Sequence, residues 1–205
     1  MNFKNLLKRF FALVLVLVCV SVSIQVVASE ETNDQVYLLG NCASSDMSAS
    51  IFGFGDGLQH TFGGASLLPL ATLQEKATSV VGIRVYIGAE VESGKVFIGS
   101  DYNKPDVEKE FTYKKGGWQY VLFDEPIEIT GTDLYVGYKI SGAGYIIGFE
   151  SSSNAQPTEM MWWNNTWYQL STMGTKGLWS IQAILQGGDY SAETQYAISL
   201  DEVSV

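Results

Sequence analysis

The stretch VVGIRVYIG, residues Val80 to Gly88, decides the fold class. Apolar residues recur there at every second position, so that Ile83, Val85 and Ile87 share one face. A period of two is typical of a β-strand with one face buried, whereas a helix would show a period of 3.6. The stretch therefore predicts a strand that contributes branched side chains to a core.

Short runs with the same alternation lie on both sides of this strand. Turns rich in glycine, asparagine and aspartate separate them at spacings of about 8 to 15 residues, and no long helical stripe interrupts them. The clearest runs are KVFIG (95–99), GWQYVLF (117–123), DLYVGYKI (133–140), YIIGFE (145–150) and LWSIQAIL (178–185). The pattern predicts an all-β fold, a β-sandwich of two antiparallel sheets.

The first 29 residues are typical of an export signal. They carry the basic residues Lys4, Lys8 and Arg9 near the start, continue with an apolar run from Phe10 to Val20, and end on compact residues suited to a signal peptidase. The alternative is a retained membrane anchor, because the apolar stretch can be extended to Val27. We predict a signal-peptide helix over 1–29 and a secreted mature chain.

The remaining residues are enough for one sizeable core, so we predict a single sandwich over 30–187. After Gly187 and Gly188 a new alternating run begins. We interpret 188–205 as either an edge strand or the start of a truncated following module.

Charge excludes one class of partner. The chain carries 12 Lys and Arg against 22 Asp and Glu, and removing residues 1–29 leaves 9 against 22, a formal charge of -13. Phosphate binding requires a basic face, so we predict no nucleic acid partner. For the same reason we predict no membrane association once the signal is cleaved.

The parts needed for catalysis are sparse. His60 is the only histidine, and Cys42 is the only cysteine outside the signal. The sequence has no HExxH, GxSxG, Walker-type or CxxC motif. We interpret Cys42 as a buried thiol and His60 as a strand histidine, although the two could form a nucleophile and base. The chain is predicted not to be an enzyme; the alternative is a glycoside-active enzyme that uses a carboxylate pair.

The segment MMWWNNTWYQL, residues 160–170, predicts an aromatic hairpin. Asn164 and Asn165, alone or with Thr166, form a turn between two aromatic arms. A two-residue turn pairs Trp162 with Trp167, and a three-residue turn pairs residues 163 and 167. Because strand neighbours point to opposite sides, at least one tryptophan faces away from the core in either register.

An outward ring can stack on the face of a sugar, whereas an inward ring is ordinary core. Both interpretations stay open for this hairpin. The candidate ligand-binding residues are Trp162, Trp163, Asn164, Asn165, Trp167 and Tyr168, with Trp118 and Trp179 assigned to the core.

A loop in SDYNKPD could hold a cation. It offers oxygen ligands of the kind that calcium prefers, from Asp101, Asn103 and Asp106. The same residue types serve in ordinary turns. No other cofactor is predicted, and Ca²⁺ is the candidate metal.

The order of motifs resembles a known family. FGGASLLPLATLQEKATSVVGIRVYIG, KVFIGSD, GGWQYVLFDEPIEITGTDLYVGYKISGAGYIIGFE, NNTWYQL and GLWSIQAIL follow one another across roughly 45–187. They resemble the cleaved-adhesin modules, related to galactose-binding-like modules, that accompany gingipain-like and streptopain-like peptidases. The resemblance implies a jelly-roll fold, an adhesive or accessory role without catalysis, and a location outside a bacterium or on its surface.

These observations together predict a secreted, non-catalytic binding or adhesion module, with carbohydrate as the leading ligand. The alternative is a structural accessory module that binds protein. The expected partners are a glycan or a host or matrix protein, and a peptidase or other module in a longer parent protein.

Overall fold

The computed structural model describes residues 35–42, 50–88, 91–113, 116–152, 157–187 and 198–199. The predicted signal peptide lies outside these residues. Within the described part, no helix is long and apolar enough to cross a membrane.

Strands make up most of the described residues. They are β1 (Gln35–Leu39), β2 (Ser50–Leu68), β3 (Ser79–Ile87), β4 (Val91–Gly99), β5 (Val107–Tyr113), β6 (Gly117–Glu128), β7 (Leu134–Ser151), β8 (Glu159–Trp163), β9 (Thr166–Gln169), β10 (Gly177–Trp179), β11 (Ile181–Gln186) and β12 (Ile198–Ser199). Among the described residues, an α-helix, α1 (Leu70–Lys76), follows Pro69, and a 3-10 helix spans Leu170–Met173.

The strands form two antiparallel layers. Sheet I has the order β12-β1-β11-β3-β6, and sheet II has the order β5-β4-β7-β2-β8-β9. The ladders of the two layers meet where Ile87 of β3 pairs with Ile147 of β7, and β10 pairs with the end of β7. The predicted all-β sandwich of antiparallel strands is confirmed.

One hydrophobic core fills the space between the layers. Ile83, Val85 and Ile87 are fully buried in it, as the alternation of VVGIRVYIG predicts. Trp179 lies at its centre, 5.3 Å from the ring of Phe52 in an edge-to-face contact. Its indole Nε1 donates a hydrogen bond to the carbonyl of residue 160 at 2.8 Å. Trp179 is therefore the core residue that the sequence predicts.

The sequence also assigned Trp118 to the core, and this prediction is wrong. Trp118 pairs with Tyr86 on β3 and is only half-buried, with the guanidinium of Arg84 4.1 Å from its ring centre. Because Val85 points into the core, its strand neighbours point to the opposite side of sheet I. Trp118 thus packs on the outer face of sheet I instead of in the core.

Of the C-terminal tail, Ile198 and Ser199 form β12, which pairs with β1 at the edge of sheet I. The division of the chain into a signal, a sandwich and a tail stays a prediction.

Candidate functional site

The aromatic hairpin has a two-residue turn. Trp162 pairs with Trp167, and both turn residues have positive φ, 50° at Asn164 and 60° at Asn165. A type I′ turn requires positive φ at both central positions, and asparagine tolerates that region better than most residues. The turn chemistry therefore selects one of the two registers that the sequence leaves open.

Replacing Asn165 tests this turn. Asn165→Val places a branched side chain at positive φ and should lower the free energy of unfolding by about 1 kcal/mol. Asn165→Gly removes the conformational cost and should not lower it. Urea unfolding of the two variants measures the difference, and equal midpoints would contradict the assigned turn.

The register divides the predicted site residues between two faces. Trp163 points inward, where its ring stacks on Phe54 at 4.5 Å and packs against the core. Tyr168 pairs with the buried Met161 and so lies on the same side. Trp162 and Trp167 lie on the outer face of sheet II, and Asn164 and Asn165 are exposed at the hairpin tip. Two of the four predicted platform rings therefore share the outer face.

Other aromatic residues hold Trp167 in place on this face. Its ring makes edge contacts with Tyr102 at 5.2 Å and with Phe97 at 6.0 Å. Tyr102 in turn contacts Tyr135 at 4.9 Å. Phe97 is fully buried although it points away from the main core, so this cluster forms a small apolar layer outside sheet II. Such packing fixes the orientation of a ring before any ligand arrives.

A depression of about 460 Å³ with mixed polar and apolar lining lies on the same face. Its lining includes Thr61 on β2 and Ser141 on β7, whose hydroxyl oxygens are 2.6 Å apart. Lys95, Lys139 and Glu110 also line it. The depression thus presents hydroxyl, ammonium and carboxylate groups, the usual hydrogen-bonding partners for sugar hydroxyls.

Lys139 connects the depression to the tryptophans. Its Nζ lies 4.8 Å from the ring centre of Trp162 and 5.5 Å from that of Trp167. Partial burial lowers the pKa of Lys139, nearby Glu108 opposes this change, and Lys95 adds to it. The ammonium group therefore lies in a partly dry position between the aromatic and polar halves of the outer face.

The sequence prediction missed Lys139, Thr61 and Ser141. A signal for Lys139 was present, because alternation within DLYVGYKI places Tyr135, Gly137 and Lys139 on one face. Thr61 is 80 residues away from Ser141, and no local pattern joins them.

The predicted calcium loop lies between β4 and β5. Asp101 Oδ1 accepts hydrogen bonds from the backbone N–H and the side-chain amide of Asn103, at 2.8 and 3.3 Å. Asp106 Oδ2 accepts one from the backbone N–H of Ser100 at 3.2 Å. Across the described residues, no three His, Cys, Asp or Glu side chains converge as a metal site. The oxygens here serve a turn, and calcium binding stays a prediction.

Cys42 and His60 have different partners. Burial raises the pKa of the Cys42 thiol to about 11, and its Sγ lies 3.7 Å from the carbonyl oxygen of Ile181. His60 Nε2 lies 2.8 Å from Asp56 Oδ2, and its ring packs against Phe54. A thiol with a raised pKa is a poor nucleophile at neutral pH. Within the described part of the chain, no hydrogen bond joins the two.

No family model and no curated protein matches this chain. Two solved structures share its fold at 10% sequence identity. One is the crystal structure of the cysteine protease and lectin-like domains of Cwp84, a surface layer associated protein of Clostridium difficile (TM-score 0.50, 62% of this chain and 32% of that chain covered). The other is a variant of the clostridial cysteine protease Cwp84 after propeptide cleavage (TM-score 0.51, 71% and 42% covered). The chain spans less than half the length of either, and the likeness shows the fold alone.

Proposed function

We propose that this protein is a non-catalytic module that binds carbohydrate on the outer face of sheet II. One observation carries the proposal: Trp162 and Trp167 share that face with a depression of about 460 Å³ whose lining includes hydroxyl, ammonium and carboxylate groups. Aromatic rings stack on the C–H faces of sugars, and polar groups beside them orient the hydroxyls. The lectin-like domain named for one structural neighbour supports the same class of function.

The proposal includes a location and partners. Both structural neighbours come from a clostridial surface-layer cysteine protease, which supports a secreted or cell-surface role in a bacterium. The resemblance to cleaved-adhesin modules supports a companion peptidase in a longer parent protein. A glycan is the proposed ligand, and a host or matrix protein is the alternative.

The depression does not favour glycosidase chemistry. Hydrolysis requires two carboxyl groups on opposite sides of the scissile bond. Of the described residues that line the depression, Glu110 is the only carboxylate. We therefore propose binding without cleavage, and no reducing ends should appear when the protein is incubated with a glycan that it binds.

Trp167→Ala tests the site. The mature chain from Glu30 onward is applied to a glycan array, and the affinity for any glycan bound is then measured by titration calorimetry. Loss of a central ring costs about 2 kcal/mol at a binding hot spot, so we expect about thirtyfold weaker binding.

Trp118→Ala is the matched control, because Trp118 is another half-buried tryptophan but lies on the outer face of sheet I. It should bind like the wild type. Equal losses in both variants would place the site elsewhere. A blank array with a folded protein, followed by binding to a matrix protein, would favour the protein-binding alternative.

A further inference from the structure

Two lysines lie side by side on the outer face of sheet II. Lys95 of β4 and Lys139 of β7 are direct partners across an antiparallel ladder, and both line the depression. Like charges in direct opposition destabilise a sheet. The placement is unexpected in a chain with 12 basic residues against 22 acidic ones. Glu108, which pairs with Lys95, offsets part of this repulsion, and an anion bound at Lys139 would offset more of it.

The two lysines differ in their partners. Lys95 Nζ forms an ion pair with Glu108 at 2.7 Å. In the described part of the chain, no carboxylate oxygen lies within 4.0 Å of Lys139 Nζ. Lys139 packs instead against aromatic rings, where partial burial disfavours its charged form. A carboxylate that reached Lys139 would therefore form a charge-assisted hydrogen bond in a partly dry setting, where such bonds are strong.

The position of Lys139 depends on Gly63. Gly63 of β2 lies between Lys139 and Trp162 in the same row of the sheet. A Cβ at residue 63 would lie 3.0 Å from Lys139 Cγ and 3.3 Å from Trp162 Cβ. The absence of a side chain at Gly63 lets the lysine stem and the indole ring approach each other. One ligand can thus contact the ring and the ammonium group together.

We propose that the site binds a sugar that carries a carboxylate, such as a hexuronic acid. This inference rests on the proposed function. The sugar ring stacks on Trp162 or Trp167, its carboxylate accepts a hydrogen bond from Lys139 Nζ, and its hydroxyls bond to the polar groups of the depression. Glu110 accepts a hydrogen bond from a sugar hydroxyl. Because like charges repel, the carboxylate of the ligand binds away from Glu110.

The test uses oligomers of galacturonic, glucuronic and mannuronic acid, each beside its methyl ester. Esterification keeps the ring and its hydroxyls but removes the charge. We expect at least one acid to bind roughly tenfold or more tightly than its ester, as for a hydrogen bond to a charged group. Adding salt should reduce this difference, because the site is partly open to solvent.

Lys139→Met keeps an unbranched apolar stem that is one atom shorter and removes the charge. This variant should lose the preference for the acid, so that acid and ester bind it with equal affinity. Lys139→Arg should restore the preference for the acid. Lys176→Met is the control, since Lys176 is exposed and does not line the depression. Thermal melts of all variants confirm folding.

The outcomes separate this inference from the function beneath it. The protein could bind neutral glycans through Trp167, with binding lost in Trp167→Ala, and show no preference for acids. That result would overturn the acidic-sugar inference and leave the proposed function standing. A preference that survives Lys139→Met would also overturn it. If no glycan of either kind binds a folded protein, both the inference and the proposed function are wrong.

Discussion

Glu159→Ala is expected to lower the free energy of unfolding by about 3 kcal/mol, because it leaves buried hydrogen-bond donors without an acceptor. Glu159 is fully buried on β8, facing the core. Its carboxylate accepts hydrogen bonds from Asn41 Nδ2 at 2.8 Å, Ser66 Oγ at 2.7 Å and the backbone N–H of Trp179 at 3.1 Å. Asn41 follows β1, Ser66 is on β2 and Trp179 is on β10. Together with β8, which carries Glu159, four segments are therefore joined by one side chain.

Urea unfolding followed by tryptophan fluorescence measures the effect. Glu125→Ala is the control, because Glu125 is an exposed glutamate on β6. Substitutions at such exposed positions change stability by about 0.5 kcal/mol or less. Similar losses in the two variants would show that the carboxylate of Glu159 does not hold the segments together.

The same residue makes stability depend on pH. Burial raises the pKa of Glu159, and its hydrogen bonds oppose this change without cancelling it. The folded protein therefore keeps a proton at Glu159 that the unfolded chain loses near pH 4.3, the ordinary value for glutamate. By linkage, stability falls as pH rises from about 4.3 through the raised pKa.

Glu159→Gln removes this titration while keeping the side-chain volume. As pH rises over that range, the wild type should lose stability relative to Glu159→Gln. Unfolding curves at several pH values measure it, and a difference that does not change with pH would contradict the raised pKa.

Gly137→Ala is expected to lower the free energy of unfolding by about 2 kcal/mol, because the added methyl group overpacks the outer face of sheet II. Gly137 of β7 pairs with Phe97 of β4, and the ring of Phe97 lies across it. A Cβ at residue 137 would lie 2.1 Å from Phe97 Cζ. The ring of Phe97 must then move, and this ring also contacts Trp167. Glycan affinity should therefore fall together with stability.

A double-mutant cycle with Phe97→Leu isolates the cause. The smaller side chain leaves room for the methyl group. The double variant should therefore lose about 1 kcal/mol less unfolding free energy than the sum of the losses in the two single variants. Additive losses would mean that the clash with the ring does not limit residue 137.

Much of the fold could be predicted from the sequence because strand alternation is a local signal. Ile83, Val85 and Ile87 are buried together as their spacing requires. The same reasoning assigned Trp118 to the core and was wrong there, since a strand pattern indicates two faces without identifying which one is covered. Arg84 provides the missing information, because its guanidinium packs on Trp118 from the outer side.

The candidate site was predicted in part. The hairpin and its asparagine turn follow from local chemistry, because positive φ at two adjacent residues favours asparagine. Which rings reach the outer face depends on the register of one residue pair, Trp162 with Trp167. The loop of Asp101, Asn103 and Asp106 shows the limit of residue type alone, since its oxygens bond to the local backbone.

By itself, the sequence determined that this protein is an acidic all-β chain with an aromatic hairpin, because periodicity, charge and turn residues act over a few positions. Only the tertiary structure decided that Lys139 lies beside Trp162, that Thr61 meets Ser141, and that Phe97 covers Gly137. These neighbours come from strands far apart in the chain. Their adjacency results from the order and register of strands in sheet II, which depend on packing the whole core.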